Sequence, residues 1–242
     1  MKKYVKCAIL MACVALFAAC GYESVITPIQ GTDLSTYTAK TADGKIVLGV
    51  YDKANVPVIP AAYDDITLSN GVLIAGYTTA KGVKLCNLFK PDGKKAIDAN
   101  LATCEWKGDH YRTTNSQGEF LYYPEFDRTF GPYQSSIIWK DIIFYKEFKN
   151  NVSKSGFIRT DGSGIVTDDA PVFVIKDKKS GKLFFAVGDG KKAGTIYDDK
   201  IDMKTAKKLT SRKWSLLQKK LTDKQPLSNK ITLGSVANIK AF

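Results

Sequence analysis

The sequence of 242 residues has very few of the residues on which most enzyme active sites depend. It contains a single histidine, His110, and none of the motifs of a serine hydrolase, a zinc protease or a phosphate-binding loop. No cysteine or histidine spacing suits a zinc ion. His110 lies in a short polar stretch, where a lone histidine is predicted to be a surface residue. The sequence therefore predicts no catalytic residue, no metal site and no cofactor.

Three pairs of adjacent aspartates are the remaining candidates for acid–base chemistry. Neighbouring residues of a strand point to opposite faces, so such pairs are badly placed to act together. We interpret them as turn residues, and an envelope hydrolase whose carboxylates are brought together by the fold is the weaker alternative. The pairs are Asp64 and Asp65, Asp168 and Asp169, and Asp198 and Asp199.

The N-terminal apolar run is too short to cross a membrane as a helix. It covers residues 7–19 without a charge, whereas a membrane-spanning helix needs about 20 residues. Lys2, Lys3 and Lys6 precede the run, and the small residues Ala18 and Ala19 end it. A basic start, a short apolar segment and small residues before a break are typical of an export signal. Residues 1–19 are therefore predicted to be a signal peptide.

The residues around Cys20 resemble the lipobox of bacterial lipoproteins. In that family the cysteine thiol takes a diacylglycerol and the signal is removed before it, so the resemblance implies a mature chain that is tethered to a membrane through Cys20. Phe17 stands where the family prefers leucine. The alternatives are cleavage before Cys13, which would leave an apolar stretch on the mature chain, and an ordinary secretory signal. Gly21 follows Cys20 in place of aspartate, which implies the outer membrane in an organism that has one.

Two further cysteines remain in the predicted mature chain, Cys86 and Cys104, which are 18 residues apart. Disulfides persist outside the cytoplasm. The sequence leaves open both a Cys86–Cys104 disulfide and two buried thiols that pack as small hydrophobic residues.

Short strand-like runs separated by tight turns fill most of the sequence from residue 37. Residues 20–36 are small and polar, with Pro28 and Gly31 interrupting any element, and we interpret them as a tether. The later runs are rich in Val, Ile, Tyr and Phe and predict strands. Asn-Gly and Asp-Gly pairs separate them and favour hairpin turns, because both residues tolerate positive φ. These pairs lie at residues 43–44, 70–71, 92–93, 161–162 and 189–190.

Residues 49–66 resemble one unit of the WG-repeat family. That unit has a glycine, an aspartate three residues later, a turn glycine, a proline, and the ending Tyr-Asp-any-Ile. Here Asn55 occupies the place of the turn glycine, and the remaining positions are Gly49, Asp52, Pro60 and Tyr63 to Ile66. Leu48-Gly49 stands in place of the Trp-Gly pair that names the family, and Ser155-Gly156 does so in a later unit.

Looser units follow near residues 87–97, 117–133, 156–166 and 183–201. The resemblance implies a repeated β scaffold over residues 37–202 more than a shared chemistry. The prediction is a mainly β fold, with antiparallel hairpin repeats in a propeller-like or open solenoid arrangement and one late amphipathic helix. An unrelated β-sandwich is the alternative.

Residues 203–242 differ from the preceding repeats. Residues 203–222 lack glycine and proline, and apolar residues recur near one face of a helix, which predicts a basic amphipathic helix. Residues 230–240 predict a final strand or hairpin. The predicted apolar stripe contains Ala206, Leu209, Leu216, Leu217 and Leu221, with Trp214 close to it.

The formal net charge of +12 is concentrated in the same region. Residues 176–242 hold 17 Lys and Arg against 6 Asp and Glu, whereas residues 20–175 hold 16 against 18. A basic surface on a lipid-anchored protein predicts contact with an anionic envelope surface, and a solvated face that confers only solubility is the alternative. Nucleic acid is not predicted as a partner. The predicted contact residues are Lys207, Lys208, Arg212, Lys213, Lys219 and Lys220.

These features predict a lipid-anchored protein of the bacterial cell envelope that acts as a non-catalytic binding or interaction scaffold for a protein or a glycan. The alternative is a structural lipoprotein that docks on an anionic envelope surface through its basic C-terminal helix.

Overall fold

The computed structural model describes residues 23–149, 151–188 and 193–242, so the predicted signal peptide, Cys20 and the Asp189-Gly190 turn lie outside the described residues. The described chain is mainly β, with five sheets that are almost entirely antiparallel and one α-helix. This confirms the predicted fold class, and the arrangement of the sheets as a propeller or a solenoid stays a prediction. The chain divides into two compact units between Phe130 and Gly131.

The first unit contains three sheets in which each strand pairs with its neighbours in sequence. The first sheet has β1 (Ile26–Pro28), β2 (Ser35–Lys40), β3 (Ile46–Tyr51) and β4 (Pro57–Tyr63). The second has β5 (Asp65–Ser69), β6 (Val72–Thr78) and β7 (Lys84–Phe89). The third has β8 (Thr103–Trp106), β9 (Tyr111–Asn115), β10 (Gly118–Tyr123) and β11 (Arg128–Tyr133), and the division between the units falls within β11.

The turns of this unit follow the predicted chemistry. Gly44 and Gly93 have φ of +87° and +80°, and each donates its N–H to a carbonyl three residues earlier, over 2.9 and 3.0 Å. Asn55, in the place of the turn glycine, has φ of +57°, a conformation that asparagine tolerates better than most residues. An ordered strand also begins earlier than expected, since β1 lies inside the predicted tether and pairs with β2.

The second sheet forms the centre of this unit because its strands bury both faces. Leu73 belongs to a core cluster with Val50 and Ile59 of the first sheet. The adjacent Val72 belongs to a second cluster with Phe120 of the third sheet. Side chains alternate between faces along a strand, so consecutive apolar residues predict burial on both sides.

The second unit contains two sheets. One has β12 (Ser135–Trp139), β13 (Ile142–Lys149), β14 (Val152–Arg159) and β15 (Val166–Thr167). The other has β16 (Val172–Asp177), β17 (Leu183–Gly188), β18 (Gly194–Tyr197), β19 (Lys207–Leu209), β20 (Thr222–Pro226) and β21 (Ile231–Val236), with helix α1 (Ser211–Lys220) between β19 and β20. The order across this six-stranded sheet is β19-β18-β17-β16-β21-β20, and the pairing of β16 with β21 is parallel.

The six-stranded sheet lies between two layers of the core. Phe185 faces a cluster with Phe144 and Phe157 of the neighbouring sheet. Ile175, on the opposite face, packs in a cluster with Trp214 and other residues of α1. The predicted C-terminal region 203–242 is therefore part of the sheet begun by β16, and not a separate appendage.

The helix starts later than the sequence pattern predicts. Residues 207–209 pair with β18 as strand β19, which keeps the preceding chain extended. Thr210 then caps α1, since its side-chain oxygen accepts from the backbone N–H of Lys213 over 3.4 Å. The final strand is confirmed as β21.

Candidate functional site

Helix α1 is held to the sheet by Trp214 and Leu217, which are both fully buried. The indole ring packs closely on Gly188 and Gly194, where a side chain would leave it no room; a Cβ on Gly188 would lie 2.7 Å from Cζ2 of Trp214. With 3.6 residues per helical turn, the residues opposite Trp214 and Leu217 point to solvent. The buried tryptophan therefore decides which of the basic residues are presented outward.

The outward surface, which we call the outer helix face, consists of Arg212, Leu216, Lys219 and Lys220. Leu216 is 44% exposed, although the sequence pattern places it in the buried stripe. The helix contains no acidic residue, and no described residue forms an ion pair with Arg212 or Lys219. Lys220 Nζ lies over the Phe242 ring, 5.9 Å from its centroid, and remains exposed. An exposed leucine beside Arg212 and Lys219 is a surface suited to an anionic partner with an apolar layer.

The other predicted contact residues do not lie on the outer helix face. Lys213 donates to the carbonyl oxygen of Phe242 over 3.1 Å, so its ammonium is engaged inside the unit. Lys207 and Lys208 are consecutive residues of β19 and therefore point to opposite faces of the sheet. Only Arg212, Lys219 and Lys220 of the predicted set share one surface.

An open cleft with a volume of about 320 Å³ lies in the second unit. One wall is the face of β12, β13 and β14, and the other is formed by residues that precede and begin β16 and β21. Volumes of this size are at the lower end of the range for small-ligand sites. Its lining includes Phe144, Tyr145, Lys146, Gly156, Asp168, Val172, Asn229, Lys230 and Ile231.

Hydrogen bonds fix part of this lining. Lys230 Nζ contacts the Asp169 carboxylate over 2.6 Å and the Asp169 carbonyl oxygen over 2.8 Å. The hydrogen bond from Lys230 holds the pKa of Asp169 below its ordinary value, so this carboxylate is ionised at neutral pH. The Asp168 carboxylate accepts the N–H of Ala170 over 2.9 Å. This part of the wall is thus preorganised.

Tyr145 and Gly156 also line the cleft, although the Tyr145 side chain lies on the face of β13 opposite Phe144 and Lys146. The Tyr145 ring stacks on Tyr133 with centroids 4.7 Å apart, and its hydroxyl lies 3.1 Å from the Thr167 hydroxyl. Burial raises the pKa of Tyr145, so the phenol stays protonated at neutral pH. It therefore offers a neutral hydroxyl and no general base.

The prediction that His110 is a surface residue is wrong. His110 is only 5% exposed, because its ring stacks on Tyr123 with centroids 4.8 Å apart. Its Nδ1 lies 2.6 Å from a carboxylate oxygen of Asp109, and its Nε2 has no hydrogen-bond partner among the described residues. The polar sequence around it contains no signal for this aromatic packing.

Cys86 of β7 and Cys104 of β8 lie in contact as two half-buried free thiols. The hydrogen bond from Cys104 lowers the pKa of Cys86, and the same contact together with burial raises the pKa of Cys104. Two thiols in contact are placed to be oxidised together, and the Cys86–Cys104 disulfide stays a prediction.

Members of two of the aspartate pairs make local structural contacts. Asp198 accepts backbone N–H groups of Lys200 and Asp202 over 3.2 and 3.3 Å, and Asp64 pairs with Lys45 over 2.6 Å. No group of three or more His, Cys, Asp or Glu in the described ranges is arranged to hold a metal ion. None of the helices in those ranges is both long and apolar enough to cross a membrane.

Sequence reasoning missed the cleft because its two walls come from distant segments. Alternation along β13 places Phe144, Lys146 and Phe148 on one face, and this much could be read from the sequence. The opposite wall depends on the parallel pairing of β16 with β21, which no local pattern reports.

Solved structures offer only distant likenesses. The chain is 12% identical to a protein described as the AfRom2 CNH domain, with a TM-score of 0.22, over 72% of this chain and 63% of that one. It is 12% identical to the WD40 domain of coronin from Toxoplasma gondii, with a TM-score of 0.24, over 74% of this chain and 55% of that one. The chain thus spans less than two thirds of either structure, and likenesses of this size carry no argument about function. No protein-family model and no curated protein matches the chain.

Proposed function

We propose that this chain is a lipid-anchored, non-catalytic protein of the bacterial cell envelope that its basic helix holds against an anionic surface. The outer helix face is the observation that carries the proposal, because Arg212, Lys219 and Lys220 surround the exposed Leu216. Each cation near an anionic bilayer contributes about 1 kcal/mol to the free energy of membrane binding. A leucine that enters the headgroup region adds to that energy by burying apolar surface.

The lipid anchor is the second part of the proposal and rests on the sequence around Cys20. Stable anchoring takes two acyl chains or one chain with a basic patch, and the outer helix face would supply such a patch. In an organism with an outer membrane, that membrane is the proposed location. Metabolic labelling with a fatty acid tests the anchor: we expect label on the wild type and none on Cys20→Ala. Equal labelling would remove this part of the proposal.

Vesicle co-sedimentation tests docking separately from the anchor. The chain produced without residues 1–20 carries no acyl group and should bind vesicles that contain phosphatidylglycerol, but not vesicles of phosphatidylcholine alone. Replacing Arg212 and Lys219 by glutamate should abolish this binding. The matched control, Lys204→Glu with Lys208→Glu, changes the net charge equally but leaves the outer helix face intact, so it should retain most of the binding.

Leu216 distinguishes docking from general charge attraction. Leu216→Ser leaves every charge in place. If this variant binds the vesicles more weakly than the wild type, and the difference remains at high salt, where charge attraction is screened, then apolar insertion has been lost. If both charge-reversed variants lose binding equally, only the total charge matters and the proposed surface is wrong.

A second candidate function is a scaffold for a protein or glycan partner, and the open cleft favours it. The proposed repeat units of the WG-repeat type would then act as the frame that presents the cleft. Affinity capture from detergent-solubilised envelopes tests this candidate, and recovery of no partner above background counts against it.

A further inference from the structure

We propose that the open cleft binds an uncharged sugar unit of a glycan chain. The inference rests on the second candidate function, that of a scaffold, and does not depend on docking through the helix. Its basis is the size of the cleft, its apolar floor, its balanced charges and one exposed aromatic residue beside it.

Three buried apolar residues form the floor of the cleft. Phe144, Val172 and Ile231 are 4%, 6% and 6% exposed, and they belong to one continuous core cluster. A pyranose ring has a face of C–H groups that packs on such a surface, whereas its hydroxyls project toward the rim. The volume of about 320 Å³ is at the lower end of the range for small-ligand sites, which suits one or two sugar rings.

The charged groups around the cleft cancel. Lys146 and Lys230 are balanced by Asp168 and by Asp169, which Lys230 contacts over 2.6 Å. The lining therefore gives a charged ligand no net electrostatic advantage. Sugar hydroxyls both donate and accept hydrogen bonds, so a sugar can bond to the lysines and to the carboxylates of the cleft together.

The lining combines fixed groups with unengaged ones. Lys230 and Asp168 are held by hydrogen bonds, so binding orders them at little entropic cost. Lys146 and Asn229 are exposed, and among the described residues no hydrogen bond or ion pair engages their side chains. These two side chains are thus available to meet ligand hydroxyls from opposite walls.

An exposed aromatic residue extends the site beyond the cleft. Phe148 is 64% exposed and lies on the same face of β13 as Phe144 and Lys146. An exposed phenyl ring offers a flat apolar platform, and no described aromatic residue stacks on it. A glycan longer than the cleft would place its next ring on Phe148, so affinity should rise with chain length.

Isothermal titration calorimetry of the mature chain tests the inference. The probes are neutral hexasaccharides of glucose, xylose, mannose and N-acetylglucosamine, together with an acidic oligogalacturonate and an uncharged peptide. We expect at least one neutral hexasaccharide to bind more tightly than its disaccharide. Binding only to the acidic oligosaccharide, only to the peptide, or to none of the probes would overturn the inference.

Variants then place the site. Lys146→Met combined with Asn229→Ala should weaken hexasaccharide binding by at least about tenfold, as expected when hydrogen bonds that include a charged donor are lost. Phe148→Ser should weaken the hexasaccharide but not the disaccharide. Lys154→Met, on the opposite face of the same hairpin, is the control and should bind normally. All four positions are exposed at the side chain, so folding should be retained and circular dichroism can check it. Unchanged binding by the double variant would place the sugar elsewhere and overturn the inference, while leaving the scaffold function intact.

Discussion

Tyr145 and Gly156 are register partners in β13 and β14, and the tyrosine occupies the space that a side chain on the glycine would need. A Cβ on Gly156 would lie 2.6 Å from the Tyr145 hydroxyl oxygen. Tyr37 and Gly49 repeat this relationship in β2 and β3, where a Cβ would lie 2.5 Å from Cζ of the ring. Glycine at these two positions is required by packing against a neighbouring strand, and not by a turn.

Gly156→Ala should destabilise the chain by about 1–3 kcal/mol, the range for added volume in a packed core. The tyrosine ring must move, and the nearby carbonyl oxygen of Val166 leaves no room on the other side. Chemical denaturation measures the change. Gly234→Ala is the control, because its Cβ would meet nothing closer than 3.3 Å, from a flexible Leu221 methyl. Equal losses from the two substitutions would contradict the packing argument.

Cys86 and Cys104 should form a disulfide when the chain is exported or treated with a disulfide oxidant. Their thiols are already in contact, so oxidation removes two hydrogens without a large movement of the strands. Intact-mass measurement after alkylation should show a pair of unmodified, linked cysteines, and closing a loop of this length should stabilise the chain by about 3 kcal/mol. Cys104→Ser should abolish both effects. Full alkylation of both thiols after oxidation would show that they stay reduced.

Asp223 should make the stability of the second unit sensitive to acid. Its hydrogen bonds from Lys178, over 2.8 Å, and Ser235, over 2.5 Å, lower the pKa of Asp223 to about 2. Because the folded pKa lies below the unfolded value of about 3.9, the stabilisation is present above pH 4 and is lost as the pH falls through 2. Asp223→Asn should therefore melt at a lower temperature than the wild type at pH 7.

When melting temperatures are compared across the pH range, the difference between Asp223→Asn and the wild type should narrow below pH 4 and vanish only below pH 2. Asparagine tolerates the φ of +52° found at this position, so the substitution tests the charge and not the backbone. Asp33→Asn is the control, since no hydrogen bond or ion pair engages the Asp33 side chain in the described chain. A gap that stays constant with pH would rule out the ionised pair as its cause.

Trp214→Ala should lower the free energy of unfolding by about 3–5 kcal/mol, because the loss of a large core side chain leaves a cavity. The cavity would open between α1 and the glycines of the sheet beneath it. Leu216→Ala, two residues away on the outer helix face, should change stability by less than about 0.5 kcal/mol. Thermal melts of the two variants compare them directly, and a similar loss from Leu216→Ala would mean that the helix is oriented differently.

Local chemistry predicts the strands and turns well. The runs around Val47 and Leu73 combine β-branched and aliphatic residues with an Asn-Gly or Asp-Gly turn nearby, and both became strands in meandering sheets. The glycine of Leu48-Gly49 could be found from its pattern, but its physical role required the position of Tyr37 on the next strand.

The remaining features depend on pairings that sequence spacing does not report. Leu216 and Leu217 are equally apolar, yet only Leu217 is buried, because the docking of Trp214 fixes the rotation of the helix. The periodicity over residues 203–222 is continuous, but the first part became β19 by pairing with β18. Tertiary contacts therefore selected between local preferences that were nearly equal.

The parallel pairing of β16 with β21 also sets an order for building the second unit. Val172 of β16 pairs with Ile231 of β21, and the ribosome makes Ile231 only after the hairpins of β17 and β18 and the whole of α1. The pairing of β16 with β21 therefore forms late in synthesis. Until then one edge of β16 is open, and an unpaired apolar edge recruits strands from other chains. A chain cut short before β21 should thus aggregate instead of yielding a smaller folded unit. The last strand that the ribosome makes is thus the one that joins β16 to β20 and completes the sheet.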